Sequence, residues 1–284
     1  MRSSNIFSEI KANLEFYSNV EKKIAEKILH SPEQFIEYSI GDLAKEIEIS
    51  QGSVNNFAKK VIGSGFAALK LQVAQQLASY SEKSFETVVD GDSAKDVLQK
   101  TMGQMNEAYE NTFALNSEEA IERVANRILN AKKIEIYGVF LSSQVAENLR
   151  YQLLQLGFSV EFVEDVLLCQ ISASMLKSDS LVIAVSSSGK TKDIIDAVNI
   201  AKENHVPIVA ITANVNSPLA KVSDEVLVAA SSGTNVSNDM YERQFSKFLL
   251  VNAICSYIRH LIDKDGTNQY YKLKDILDSH SIEG

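Results

Sequence analysis

Apolar residues recur at helical spacing through the first 80 positions, and the period changes to short strand-like runs after residue 133. Ile6, Ile10 and Leu14 form one stripe, and Val20, Ile24, Ile28 and Leu29 form the next. Ser18 or Asn19 caps that second helix, and Pro32 falls just beyond its end. Ser39-Ile40-Gly41-Asp42 offers a capping box opening a short helix through Leu43, Ala44 and Ile47. Ser50 caps another, with Val54, Phe57, Ala58 and Val61 on one face, and Leu69, Val73 and Leu77 continue on a last helix. Residues 1–80 are therefore expected to form an all-α bundle. The periodicity fades over 81–92, where turn formers gather and a linker is expected. Two further helices are expected over Ser93–Leu115 and Ser117–Asn130.

From Lys133 the pattern is Ile134–Val139 as a strand, Gln144–Leu156 as a helix ended by Gly157, and Ser159–Val163 as a strand. Leu181-Val182-Ile183-Ala184-Val185 is an unbroken apolar run, as a strand buried on both faces requires. A helix over Thr191–Glu203 follows, then strands over Pro207–Thr212 and Glu225–Ala229, and a long apolar helix from Asp239 to Ile262. Strands alternating with helices predict a parallel sheet covered on both faces, so residues 93–284 read as an α/β domain.

Composition adds a compartment and a charge asymmetry. No run approaches the ~20 apolar residues of a membrane span, and Met1-Arg2-Ser3-Ser4 leads straight into an amphipathic pattern without a cleavable signal. Cys169 and Cys255 stand far apart in apolar contexts, as buried thiols do, and neither a disulfide nor a metal site is expected. A cytoplasmic protein fits these features. The net charge is −9, yet residues 1–80 balance nine Lys/Arg against nine Asp/Glu, so the rest of the chain supplies the whole deficit. A neutral segment lacks the strong cationic footprint of many DNA-binding domains, although it can still present a basic face.

The candidate chemistry centres on Ser186-Ser187-Ser188-Gly189-Lys190-Thr191, where a buried strand meets a helix N-terminus. Unpaired N–H groups and the helix dipole favour an anion there. Ser186, Ser188 and Thr191 add hydroxyl donors, and Gly189 lets the backbone approach a ligand. A phosphate held without a metal fits this turn, and so does a polar helix cap with no ligand. A nucleotide P-loop does not fit, because Ala184 stands where its first glycine belongs.

Residues 133–229 resemble the SIS (sugar isomerase) phosphosugar-binding fold. The resemblance is carried by the serine turn with Lys192-Asp193, and by Ala201-Lys202-Glu203-Asn204, Val209-Ala210-Ile211-Thr212 and Ser217-Pro218-Leu219-Ala220-Lys221. Residues 1–78 resemble the helix-turn-helix domain that precedes SIS in RpiR-type transcription regulators. There the matching run is Ile40-Gly41-Asp42-Leu43-Ala44, then Ser50, Val54, Phe57, Lys59, Lys60, Gly65, Phe66, Leu69 and Lys70.

The resemblance implies a helix-turn-helix bundle followed by a three-layer α/β/α SIS domain. It implies a DNA-binding regulator of carbohydrate metabolism that senses a phosphorylated sugar and acts as a homodimer or homotetramer, without cofactor or metal. Phosphate would fall on Ser186, Ser188 and Thr191, with Ser142 contributing from the first turn and Ser187 its backbone N–H. Gln51, Ser53, Asn55 and Asn56 would face bases, and Lys59, Lys60 and Lys70 phosphates. The chain departs from the family at four places: Phe140 replaces a glycine and is expected to narrow or fill the sugar pocket, and Gln152 replaces a lysine. Asn56 replaces an arginine, and Glu48 a turn glycine. The competing reading is a sugar-phosphate isomerase, whose base would be Glu242 or Glu147.

Overall fold

The computed structural model describes residues 6–83, 87–233 and 239–264, and in it the helical and α/β parts lie in two separate compact units. One unit comprises the chain up to Leu115 with Ala230–Glu242; the other comprises Asn116–Ala229 and the chain from Arg243 onward.

The first unit begins with α1 (Ile6–Asn13), a 3-10 turn (Leu14–Phe16), α2 (Asn19–His30), α3 (Pro32–Glu37), α4 (Ile40–Glu46), α5 (Gln51–Ile62) and α6 (Phe66–Lys83). Ser18 and Glu21 form the reciprocal capping box of α2, each bonding the other's backbone N–H. Ser39 caps α4 differently: its hydroxyl accepts from Asp42 N and donates to the Asp42 carboxylate. Pro32 falls just beyond the end of α2, as expected, and also begins α3, where its missing N–H costs nothing. That unexpected helix buries Phe35 against Phe66 at 5.7 Å, edge to face. Ile24, Ile28, Leu43, Val54, Phe57, Leu69 and Val73 complete the core. Val20 does not join it and stays exposed.

α6 continues to Lys83, past the expected start of the linker, and Gly91 turns the chain with φ +98° before α7 (Ala94–Leu115). α7 is grouped with the first unit. Its Asn111 donates to the Ser231 carbonyl at 3.0 Å, and its Thr112 hydroxyl accepts from Ala230 N at 3.0 Å.

The second unit contains α8 (Glu118–Asn130), β1 (Lys133–Tyr137), α9 (Leu141–Gln155), β2 (Val160–Val163), α10 (Val166–Met175), β3 (Ser180–Val185), α11 (Lys192–Glu203), β4 (Ile208–Thr212), α12 (Pro218–Val222) and β5 (Glu225–Val228). It also takes most of α13 (Asp239–Lys264). The sheet is all parallel, in the order β2-β1-β3-β4-β5. One face packs on α8, α9 and α13 through Val124, Val145, Leu149, Val251 and Ile254. The other packs on α10, α11 and α12 through Cys169, Ala173, Ile194, Val198 and Leu219. Three layers result, as expected. Glu225 ties β5 to α8 by accepting from Arg123 at 2.9 Å and from Arg127 at 3.1 Å. Both cysteines are free and buried, and burial pushes each thiol up to about 12. No described helix is long and apolar enough to cross a membrane.

Candidate functional site

The strand order reverses between β1 and β3: the chain leaves β1 for β2 on one side and β3 for β4 on the other. Open α/β sheets place ligands in the crevice at such a switch point, beyond the carboxyl ends of the strands. Two helices begin there. α9 starts after Phe140 and α11 after Thr191, and neither receives a side-chain cap. The other helices of this unit with an assigned N-cap, α8, α10 and α12, are closed by Ser117, Asp165 and Ser217. The two uncapped ends therefore carry N–H groups and dipoles able to meet an anion.

The serine turn is arranged more selectively than its sequence shows. Ser186 is buried, shares a hydrogen bond with Thr191 at 3.1 Å and accepts from Gly189 N at 3.2 Å. Ser188 is exposed, and its hydroxyl accepts from Lys190 N. Gly189 serves packing. It has φ +61°, and a Cβ there would fall 2.2 Å from Ser217 Oγ, so its bareness makes room for the cap of α12.

Ser142 and Ser187 meet through a residue the sequence reading missed. Lys247 of α13 is fully buried, and its ammonium donates to Ser142 Oγ at 3.0 Å and Ser187 Oγ at 2.8 Å. It thus bridges the β1–α9 and β3–α11 turns. No carboxylate of the described residues pairs with it, and burial, helped by nearby Arg243, lowers its pKa to about 8. Ser187 contributes its hydroxyl here, beyond the backbone N–H assigned to it. A readable signal existed. Lys247 lies on the same helical face as Val251, Ile254 and Ile258, a cation placed on a core stripe.

Phe140 does not fill the crevice: its ring is 81% exposed, while its backbone holds φ +54° and ψ −130°, a region suited to glycine. Gln152 stands three turns along α9, bonded to Asn148 and Asn252, while the cation that touches the two serine turns is Lys247 of α13. Of the candidate bases, Glu147 is forked onto Arg150, which holds its carboxyl below the usual range. Glu242 accepts from the Ser232 N–H and hydroxyl, both at 2.7 Å. Among the described residues no cluster of metal-ligating side chains occurs.

In the helical unit, α4, the turn at Ile47–Ser50 and α5 form the helix-turn-helix. Glu48 adopts φ +54° there, the left-handed geometry that a glycine would take without strain. Gln51, Asn56, Lys59 and Lys60 are exposed along α5, with Ser53 half-buried at its start. Asn55 turns inward, its Oδ1 accepting from Phe66 N at 3.2 Å to close the start of α6. Lys60 is paired with Glu21 at 2.7 Å, and Lys70 donates to the Tyr38 carbonyl.

Residues 4–80 match the helix-turn-helix domain of the rpiR family, and residues 127–242 match the SIS domain. The chain is 28% identical over 219 residues to the transcriptional regulator HexR of Pseudomonas aeruginosa, covering 77% of this chain and 76% of HexR. It is 30% identical over 253 residues to an uncharacterised helix-turn-helix regulator of Thermotoga maritima, covering 88% of this chain and 90% of the relative. The structure of Vibrio vulnificus NanR complexed with ManNAc-6P superposes with a TM-score of 0.61 at 24% identity, covering 98% of this chain and all (100%) of that one. Two domain matches in chain order, and a relative 30% identical over nearly its whole length, place the chain in the RpiR family of helix-turn-helix transcription regulators bearing an SIS domain.

Proposed function

We propose that this regulator senses a phosphorylated sugar at the β1–β3 switch point and binds operator DNA through α5. The observation that carries the first half is Lys247, a buried ammonium with two serine hydroxyls and no counter-charge among the described residues, set beside two uncapped helix ends. A phosphate dianion supplies the missing charge, and Ser142, Ser186, Ser187, Ser188 and Thr191 supply or orient donors around it. NanR, whose fold this chain shares, is seen with a sugar phosphate bound. An isomerase reading is weakened by Glu147, whose depressed pKa makes it a poor proton acceptor.

For DNA, Gln51, Ser53 and Asn56 face bases and Lys59 faces phosphate. Lys60 joins it only if its pair with Glu21 exchanges, and the Asn55 amide is held by α6. The protein acts in the cytoplasm as a homodimer, so that two copies meet two half-sites. α13 is core below its first turns, as Leu250, Val251, Ile254 and Ile258 show. The exposed apolar face of α10, with Leu167, Leu168, Ile171 and Met175, is the better support for self-association.

A thermal-shift series with sugar phosphates tests the ligand half, since a ligand bound only to the folded state raises the melting temperature. A shift abolished by Ser187→Ala is expected. A shift that survives both Ser187→Ala and Lys247→Met rejects the site.

A further inference from the structure

α7 uses one side for packing within its own unit and leaves an apolar seam on the other. Leu98, Met102, Met105 and Tyr109 recur at steps of four, three and four, the a/d spacing of a two-stranded coiled coil, and Phe113 continues beside them. Leu98, Met102 and Phe113 are each more than half exposed, and Met105 and Tyr109 are half-buried. The packed side is different in kind: Gly103, Gln104, Ala108, Asn111 and Thr112 are buried, with Asn111 and Thr112 bonded to Ser231 and Ala230. A contiguous apolar stripe left in water along a helix marks an interaction face.

Charges on one flank select the occupant. At 3.6 residues per turn, Lys95 and Glu110 fall about 60° and about 120° to the same side of Leu98. Both are exposed, and neither has a hydrogen bond or ion pair among the described residues. A two-fold antiparallel pair sets the same flank of both helices side by side. With Leu98 opposite the partner's Tyr109 and Met102 opposite the partner's Met105, Lys95 of each copy stands two residues along the axis, about 3 Å, from the level of the partner's Glu110. Each end of the pair then carries one opposite-charge couple, and the two helix dipoles oppose each other favourably. A parallel pair instead sets this charged flank against the uncharged flank of Ala94 and Thr101. The seam is therefore complementary to a second copy of itself, run in the opposite direction.

We infer that α7 pairs with α7 of a second copy of this chain as an antiparallel two-helix seam, held by Leu98, Met102, Met105 and Tyr109 and flanked by Lys95 and Glu110. The inference rests on the homodimer reading above and adds an interface independent of the α10 face.

Sedimentation velocity of the full chain, over a concentration series at low salt, tests it. The wild type associates. Met102→Glu, at an exposed position, raises the dissociation constant of one association step roughly 30-fold or more, because two-fold symmetry makes the change act twice. Lys95→Glu and Glu110→Lys each weaken the same step about threefold or more, and the double exchange restores it to within about twofold of wild type. Under mild oxidation, Leu98→Cys alone forms no disulfide between copies, whereas Leu98→Cys combined with Tyr109→Cys does. Association unchanged by Met102→Glu overturns the inference while the homodimer reading stands, the more directly if Ile171→Glu on α10 abolishes that association. Single charge exchanges without effect, a double exchange without rescue, or a cross-link through Leu98→Cys alone overturn the antiparallel seam in the same way. A wild type that stays monomeric across the series removes the homodimer reading and the inference with it.

Discussion

Replacing Lys247 with methionine keeps a flexible chain of similar length in the core and deletes one buried charge. The lysine pKa falls from 10.5 to about 8 on folding, and 2.5 units correspond to about 3 kcal/mol of penalty for holding the ammonium out of water. Below pH 8 the amine is protonated in the folded and unfolded chains alike, and the whole penalty is present. Between 8 and 10.5 the folded protein releases a proton that the unfolded chain keeps, so this group's contribution to stability rises with pH across that window. Methionine escapes the penalty but strands the Ser142 and Ser187 hydroxyls, at a cost of about 1 kcal/mol each. The ligand-free variant should therefore be more stable than wild type at pH 7, by about 1 kcal/mol, and should lose that advantage by pH 10. Sugar-phosphate affinity should fall about 30-fold or more, because a buried charge-assisted contact is worth about 2–5 kcal/mol. A bound phosphate also restores the lysine pKa, so binding to wild type near pH 8 takes up a proton, and calorimetry in two buffers of different ionisation heat detects it. Urea denaturation of both proteins across pH 6–10 measures the rest. A variant less stable than wild type by a constant amount at every pH refutes the claim that Lys247 is a buried cation awaiting an anion.

Glu48→Gly relieves a left-handed backbone and should stabilise the helical unit by about 1 kcal/mol, read as a raised melting temperature without loss of helicity. Gly189→Ala forces a methyl against Ser217 in a left-handed residue and should cost about 2–4 kcal/mol in urea denaturation; adding Ser217→Gly should recover part of it. Asn55→Ala opens the start of α6 and should cost about 1 kcal/mol of stability. Asn56→Ala should leave stability unchanged and weaken operator binding in fluorescence anisotropy, since its side chain is exposed on α5.

The sheet was legible where single strands carry their own signal. Leu181–Val185 is apolar at every position because β3 is buried on both faces, and the serines that follow it mark a helix start. α10 left no such mark: Cys169 and Ala173 face the sheet while Leu167, Leu168, Ile171 and Met175 face outward, so its apolar residues cover all sides and erase the period. α3 hid behind Pro32, which reads equally as a stop and a start. Half of the candidate site was visible as hydroxyl chemistry in one local turn. The other half was not, because Lys247 lies more than 50 positions away and reaches the turns only through the packing of α13. Gly189 is legible in the sequence as a position of conformational freedom, but only the fold shows Ser217 pressing against it.

The central claim is that an anion captured by Lys247, Ser142 and Ser187 governs DNA binding by the helical domain. Fluorescence anisotropy with DNA from upstream of the protein's own gene, at a fixed salt concentration, tests it in wild type and Lys247→Met with and without a sugar phosphate that stabilises the wild type. Equal ligand-free affinities are expected, with a ligand-induced change in wild type that the variant loses. A ligand effect of the same size in both proteins, or none in wild type despite bound ligand, contradicts the account.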